Sequence, residues 1–277
     1  MERALVLGGG GGTGVAWELG LLAGLAERGV PVTEADLVVG TSAGSVVGAQ
    51  VCSGMPLEQL YEAQLAPPSG ELAARLGWAV LARMVWAGAL TRDAMRARAR
   101  IGAMAVAART PSEASRRAVI EARLPTATWP ARRLLVTAVD ASSGEFVVFD
   151  GDSAVSLVDA VGASCAVPGV WPPVTIGARR YVDGGMRSVV NADLAGDARR
   201  VLVIAPTSGA FGPMPRLAAQ VAGLRAAGSR VAVVTPDGAA RTAIGRNVLD
   251  PARRAGSARA GRAQAAAVAD EVAAVWG

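Results

Sequence analysis

The chain contains no histidine and no lysine; all 28 of its basic residues are arginine. Without histidine, every Ser-His-Asp triad built within one chain is excluded. Without lysine, Ser-Lys schemes and the G-K-[ST] phosphate loop are excluded too. Aromatic residues are scarce, at 4% against 52% hydrophobic, so the core must be built mostly from Ala, Val and Leu. The two cysteines, Cys52 and Cys165, cannot make a disulfide framework, and their apolar surroundings read as those of small buried residues. A long hydrophobic run is missing as well. One long uncharged stretch, Ala160 to Ala178, is broken by Pro168, Pro172 and Pro173, a pattern foreign to a spanning helix outside a bundle. The apolar stretch at the N-terminus is too short for a signal-peptide core. These absences together predict a soluble, cytoplasmic protein.

The 277 residues carry a net charge of +5 with 18% charged residues, enough apolar material for a sizeable packed core. The arginines are scattered among alanines rather than gathered in blocks with interleaved aromatics, so no nucleic-acid partner is expected. Neither a cofactor nor a metal is expected.

Short apolar runs at Ala4–Leu7, Leu37–Val39, Leu134–Val139, Val201–Ala205 and Val231–Thr235 read as buried parallel strands. Phe146–Phe149 reads as a shorter strand after the turn at Ser142-Ser143-Gly144. Ala-rich helical stretches alternate with them, the first from about Val15 to Arg28. The expected fold is α/β, a mostly parallel central sheet with helices on both faces. Residues 56–130 read as a helical insertion, and residues 197–277 as strands and helices added to one domain covering 1–277. Within the insertion, Trp78 to Trp86 reads as an ordinary buried helix face, with a lid or peripheral membrane contact as the alternative.

Three motifs carry chemistry. Gly40-Thr41-Ser42-Ala43-Gly44 fits G-x-S-x-G between a strand and a helix, the turn that exposes a nucleophilic Ser Oγ. A plain strand-to-helix turn with a capping Ser is the structural alternative. With His and Lys absent, the base for such a serine must be Asp or Glu. Asp183-Gly184-Gly185, after the apolar Tyr181-Val182, is the best carboxylate candidate, although Asp-Gly is also a common turn pair. Asp150, Asp152 and Asp159 stand behind it. Finally, Gly8-Gly9-Gly10-Gly11-Gly12-Thr13-Gly14 frees several backbone N–H groups at a helix N-terminus, as an oxyanion hole or a phosphate cradle requires.

In this order and spacing, over about residues 4–196, the motifs resemble the patatin-like phospholipase family. The resemblance implies a three-layer patatin-like sandwich and hydrolysis of lipid acyl esters through an acyl-enzyme. It further implies Ser42 as nucleophile, Asp183 as its base, and the N–H groups of Gly10, Gly11 and Gly12 as the oxyanion hole. Gly9, Gly14, Gly40, Gly44, Gly184 and Gly185 would be the supporting motif glycines. The implied partner is a lipid or other acyl-ester substrate, with possible peripheral contact at a membrane surface. Thr13 departs from the family's first motif, which usually has Arg or Lys there; Thr can neither hold the loop nor meet a substrate phosphate by charge, which leaves neutral acyl esters open. Trp171, between prolines, is a candidate for the acyl pocket.

Three alternatives remain. An acyltransferase would share the acyl-enzyme and differ only in the acceptor. A non-catalytic protein could keep the fold. A dinucleotide-binding domain would use Gly9-x-Gly11-x-x-Gly14, with Glu34 or Asp36 on the ribose. That acid, however, should end the second strand, and Asp36 precedes Leu37-Val38-Val39.

Overall fold

Runs of Val, Ile and Leu become strands, and the Ala-rich stretches between them become helices. The computed structural model describes residues 1–67, 74, 77–89, 91–209 and 214–277. Strand β1 (Arg3–Leu7) leads into α1 (Gly11–Glu27), and β2 (Leu37–Gly40) into α2 (Ala43–Cys52). Four helices follow: α3 (Leu57–Leu65), α4 (Trp78–Ala89), α5 (Ala94–Ala107) and α6 (Glu113–Arg123). Next come β3 (Arg133–Asp140), β4 (Phe146–Phe149), α7 (Leu157–Ser164), β5 (Val174–Ile176) and β6 (Arg179–Asp183). The chain continues through β7 (Arg200–Ile204), α8 (Leu217–Ala226), β8 (Arg230–Val234), α9 (Gly238–Ile244) and α10 (Arg254–Trp276).

All these strands join one sheet in the order β5-β6-β3-β2-β1-β7-β8, with β4 also paired to β3. From β3 through β2, β1 and β7 to β8 the pairing is parallel. The remaining pairs, β3 with β4, β3 with β6 and β5 with β6, are antiparallel, which leaves the sheet mostly parallel as expected. The cause of the first reversal is local. The Asp140 carboxylate accepts from the N–H groups of Ser142 (2.8 Å) and Ser143 (3.0 Å). That closes a hairpin, and a hairpin can only return antiparallel. β5, three residues long, has no counterpart among the sequence expectations.

Side chains alternate between the two faces of the sheet. Leu5, Leu7, Val38, Leu202 and Ile204 face one core with α1, α2, α7 and α10. Ala4, Val6, Val39, Val201 and Val203 face the other, with α8. α1 and α10 pack almost backbone to backbone: a Cβ on Gly20 would come within 2.0 Å of the Ala258 carbonyl oxygen, and one on Gly261 within 2.2 Å of that of Trp17.

Two expectations are corrected. In α4, Met84 and Ala87 are buried, but Val85 and Trp86 turn outward, Trp86 with 67% of its surface exposed. The buried-face reading therefore fails at Trp86, because its neighbour in sequence, Ala87, takes the inward position; the side chain of Trp78 lies outside the described residues. Cys165 is buried as expected, whereas Cys52, at the end of α2, is only partly so. Among the described residues, no helix is long and apolar enough to cross a membrane.

Candidate active site

The parallel strands β1 and β2 end side by side, with Leu7 opposite Gly40, so the two turns into α1 and α2 meet at one end of the sheet. Ser42 occupies the second turn with φ +53° and ψ −115°. A non-glycine residue at positive φ is strained, and its surroundings hold it there. Its N–H donates to Ser164 Oγ at 2.9 Å, and the Cys165 thiol donates to its carbonyl oxygen at 3.3 Å. The flanking glycines are needed sterically. A Cβ on Gly44 would fall 2.1 Å from the Leu7 carbonyl oxygen, and one on Gly40 2.5 Å from Ser45 Cα.

Asp183 arrives from the far side of β3, as the last residue of β6 and paired in register with Ala138. Its carboxylate accepts the Gly185 N–H at 2.7 Å. A Cβ on Gly184 would clash with Thr137 Oγ1 at 2.2 Å, which is how the Asp-Gly-Gly turn reaches the sheet end so closely. Burial pushes the Asp183 carboxyl up to about 7; hydrogen bonding from the Ser42 side chain, and then from the Gly185 N–H, pulls it back toward the ordinary range. Ser42 and Asp183 are thus brought together from positions far apart in sequence. Asp150 and Asp159 are spent on local structure instead, and Asp152 is exposed. Asp150 closes a turn with Asp152 and Ser153, while Asp159 pairs with Arg117 and with Ser156.

In the glycine run, α1 begins at Gly11, four residues before the sequence expectation. Gly11 has φ +61°, and a Cβ there would lie 2.5 Å from the Val248 carbonyl oxygen, so this position excludes side chains. The Gly8 and Gly9 N–H groups donate to Ile204 and Val189. Among the described residues, the N–H groups of Gly10, Gly11 and Gly12 have no acceptor. Gly11 and Gly12 line a cleft with Ser42, Ala43, Cys165 and Trp171; Gly10 lies behind that wall, with Pro206 against it. Thr13 is fully buried, and both its N–H (3.1 Å) and its Oγ1 (3.2 Å) donate to the Val248 carbonyl. The loop is therefore held without a cation. Burial pushes the carboxyl of Glu18, further along α1, well above the ordinary carboxylate range.

Sequence reasoning missed several residues. Asn191, fully buried in a left-handed conformation, donates through Nδ2 to Thr41 Oγ1 (3.0 Å) and the Ser188 carbonyl (2.7 Å). It thereby ties the residue before Ser42 to the segment after Asp183. Ser164, Cys165, Arg116 and Arg123 were also missed. An Asn in a loop, or an Arg among many, carries no sequence signal of its own. Among the described residues, no group of three His, Cys, Asp or Glu is placed to hold a metal.

The patatin-like phospholipase family model matches residues 5–195. The chain belongs to that family. It is accordingly a lipid acyl hydrolase of the patatin-like kind. No curated protein sequence matches it. Among solved structures, it is similar to VipD from Legionella pneumophila, with 14% identity, a TM-score of 0.50, and 98% of this chain aligned to 67% of that one. The type III effector ExoU aligns at 16% identity and a TM-score of 0.41, over 98% of this chain; this chain spans about half of ExoU, 53% of its length. At these identities the likeness to VipD concerns the mixed α/β fold.

Proposed function

We propose that this patatin-like protein hydrolyses lipid acyl esters through a Ser42–Asp183 dyad, with the first helical N–H groups as the oxyanion hole. The observation that carries the reading is Ser42 held at positive φ with its side chain hydrogen-bonded to the buried Asp183 carboxyl, which burial pushes up to about 7. Such a carboxyl is a stronger base than an ordinary one and still half ionised at neutral pH.

The mechanism follows from the geometry. Ser42 Oγ attacks the ester carbonyl as its proton moves to the Asp183 carboxylate. Negative charge develops on the carbonyl oxygen, where the N–H groups of Gly11 and Gly12 at the positive end of α1 would receive it, with Gly10 behind them. The bond to the leaving oxygen breaks, Asp183 returns the proton to that oxygen, and an acyl-Ser42 remains. A water gives its proton to Asp183 and attacks the acyl carbonyl, the bond to Ser42 Oγ breaks, and Asp183 returns the proton to Ser42 Oγ as the acid leaves. Each preorganised donor of this kind is worth about 3 kcal/mol, which compensates for a carboxylate in place of histidine.

The test is labelling and turnover together. A fluorophosphonate should modify the protein once, at Ser42, and Ser42→Ala should abolish both labelling and ester hydrolysis. Labelling at another serine, or undiminished turnover in Ser42→Ala, overturns the assignment.

A further inference from the structure

Behind the dyad, the residues next to Ser42 and Asp183 in sequence share one buried polar network with Asn191 at its centre. Asn191 Nδ2 donates to Thr41 Oγ1 at 3.0 Å and to the Ser188 carbonyl at 2.7 Å, with the Gly184 carbonyl 3.4 Å away. Thr41 precedes the nucleophile, and Gly184 follows the base. Thr137, on β3, closes the bridge: its Oγ1 donates to Thr41 Oγ1 at 3.0 Å and packs directly against Gly184. The orientation of the Asn191 amide is fixed, because its Oδ1 accepts from Arg187 at 2.9 Å and Arg187 in turn pairs with Asp193. The network is anchored from beyond the segment that matches the family. Gln220, buried on α8, donates through Nε2 to Ser188 Oγ at 2.7 Å and accepts the Ala192 N–H at 2.6 Å. Ser188 Oγ also accepts the Asn191 N–H at 3.1 Å.

We propose that Asn191, held by Gln220 of α8, is a positioning residue that sets Ser42 Oγ against the Asp183 carboxylate. The proposal rests on the dyad reading above and names what keeps that dyad in register. Ser42 follows β2 and Asp183 ends β6, and β3 lies between those two strands. The two turns therefore approach each other across a strand, where backbone pairing does not join them to one another. Buried hydrogen bonds add little net stability, but they fix directions that apolar contacts leave free. Direction is what the dyad needs, since a shift of about 1 Å at a reacting group costs about a hundredfold in rate. The Asn191 amide spans the gap from one side, and α8 holds the amide in place.

The experiment uses two variants. Asn191→Gly keeps a backbone suited to the left-handed conformation at this position and removes the amide. Gln220→Leu keeps the volume on α8 and removes the anchor. With 4-nitrophenyl butyrate, kcat should fall about 30- to 100-fold in Asn191→Gly and about five- to tenfold in Gln220→Leu, with KM within about threefold of wild type. The acid limb of kcat/KM should move to higher pH in both, because the hydrogen bond from Ser42 pulls the Asp183 carboxyl down. Thr41→Val should lose about as much as Asn191→Gly, and the double variant little more. An unchanged kcat in Asn191→Gly, or an acid limb that stays where it was, overturns the proposal, even where the melting temperature drops. If Asn191→Gly does not fold, Gln220→Leu decides by the same readouts. Carbon-13 NMR titration of the Asp183 carboxyl, assigned with Asp183→Asn, separates this proposal from the hydrolase reading. Should the wild type turn over no ester, an Asp183 carboxyl that titrates at higher pH in the variants still upholds the positioning role, and an unchanged titration overturns it.

Discussion

The turns after β1 and β2 lie side by side and are both rich in glycine, yet their glycines answer different demands. In the second turn they make room. Gly40 and Gly44 let the chain pass within contact of Ser45 and Leu7, and the residue between them, Ser42, is forced to positive φ. In the first turn only some positions are sterically closed. Gly10 and Gly11 are packed against Pro206 and Val248, whereas a side chain at Gly12 would meet nothing within 4 Å. One turn presents a strained side chain; the other presents bare backbone. Glycine count alone does not distinguish the two, because the same residue serves close approach in one place and exposed N–H donors in the other.

The most damaging way to break this contrast is at the serine. Ser42→Ala should lower kcat/KM by about 10⁵-fold without unfolding the protein. Asp183→Asn should come within about tenfold of that loss, and the double variant should be little worse than either, since the two act as a unit. Steady-state kinetics on all three variants checks it; losses that simply add would dissolve the dyad.

Next comes the steric demand. Gly44→Ala should destabilise by about 3 kcal/mol or more, because its Cβ would overlap the Leu7 carbonyl; denaturant unfolding measures it. Smaller again is the pH effect. If Asp183 is the base, kcat/KM should rise about tenfold per unit below its pKa and level off above about 7. Stability runs the other way. A carboxyl raised above its unfolded value favours the fold when protonated, so its contribution is full below the ordinary carboxylate range. That contribution is lost as pH climbs through about 7. Asp183→Asn should therefore be more stable than wild type at pH 8 and lose that advantage at pH 4, measured by parallel melts. Smallest of all, Gly12→Ala keeps its N–H and fits without contact. It should leave activity within a few-fold and change stability by less than about 1 kcal/mol. Collapse of either would show that the first turn is closed everywhere, like the second.

The parallel half of the sheet was legible because buried strands leave short apolar runs bounded by glycine. Ser42, Asp183 and the glycine loop stood out as candidates because the three patterns occur together and in order in a chain without histidine; taken alone, each also fits an ordinary turn. What escaped was long-range. Ser164 meets Ser42 across 122 residues and Asn191 meets Thr41 across 150, and nothing near either residue marks it. Glycines are poor helix formers, so the start of α1 at Gly11 was hidden; packing against Pro206 and Val248 overrides the propensity there. Trp86 misled because an apolar residue on a helix ordinarily points inward.

Val248, which accepts both Thr13 donors and closes the space at Gly11, lies more than fifty residues beyond the segment that matches the family. β7, which pairs with β1 along its whole length, also lies just outside that segment. The recognisable module is therefore not a self-sufficient one. A fragment ending near residue 196 would keep every diagnostic motif while losing the brace on its own glycine loop, so motif content and structural autonomy part company in this chain.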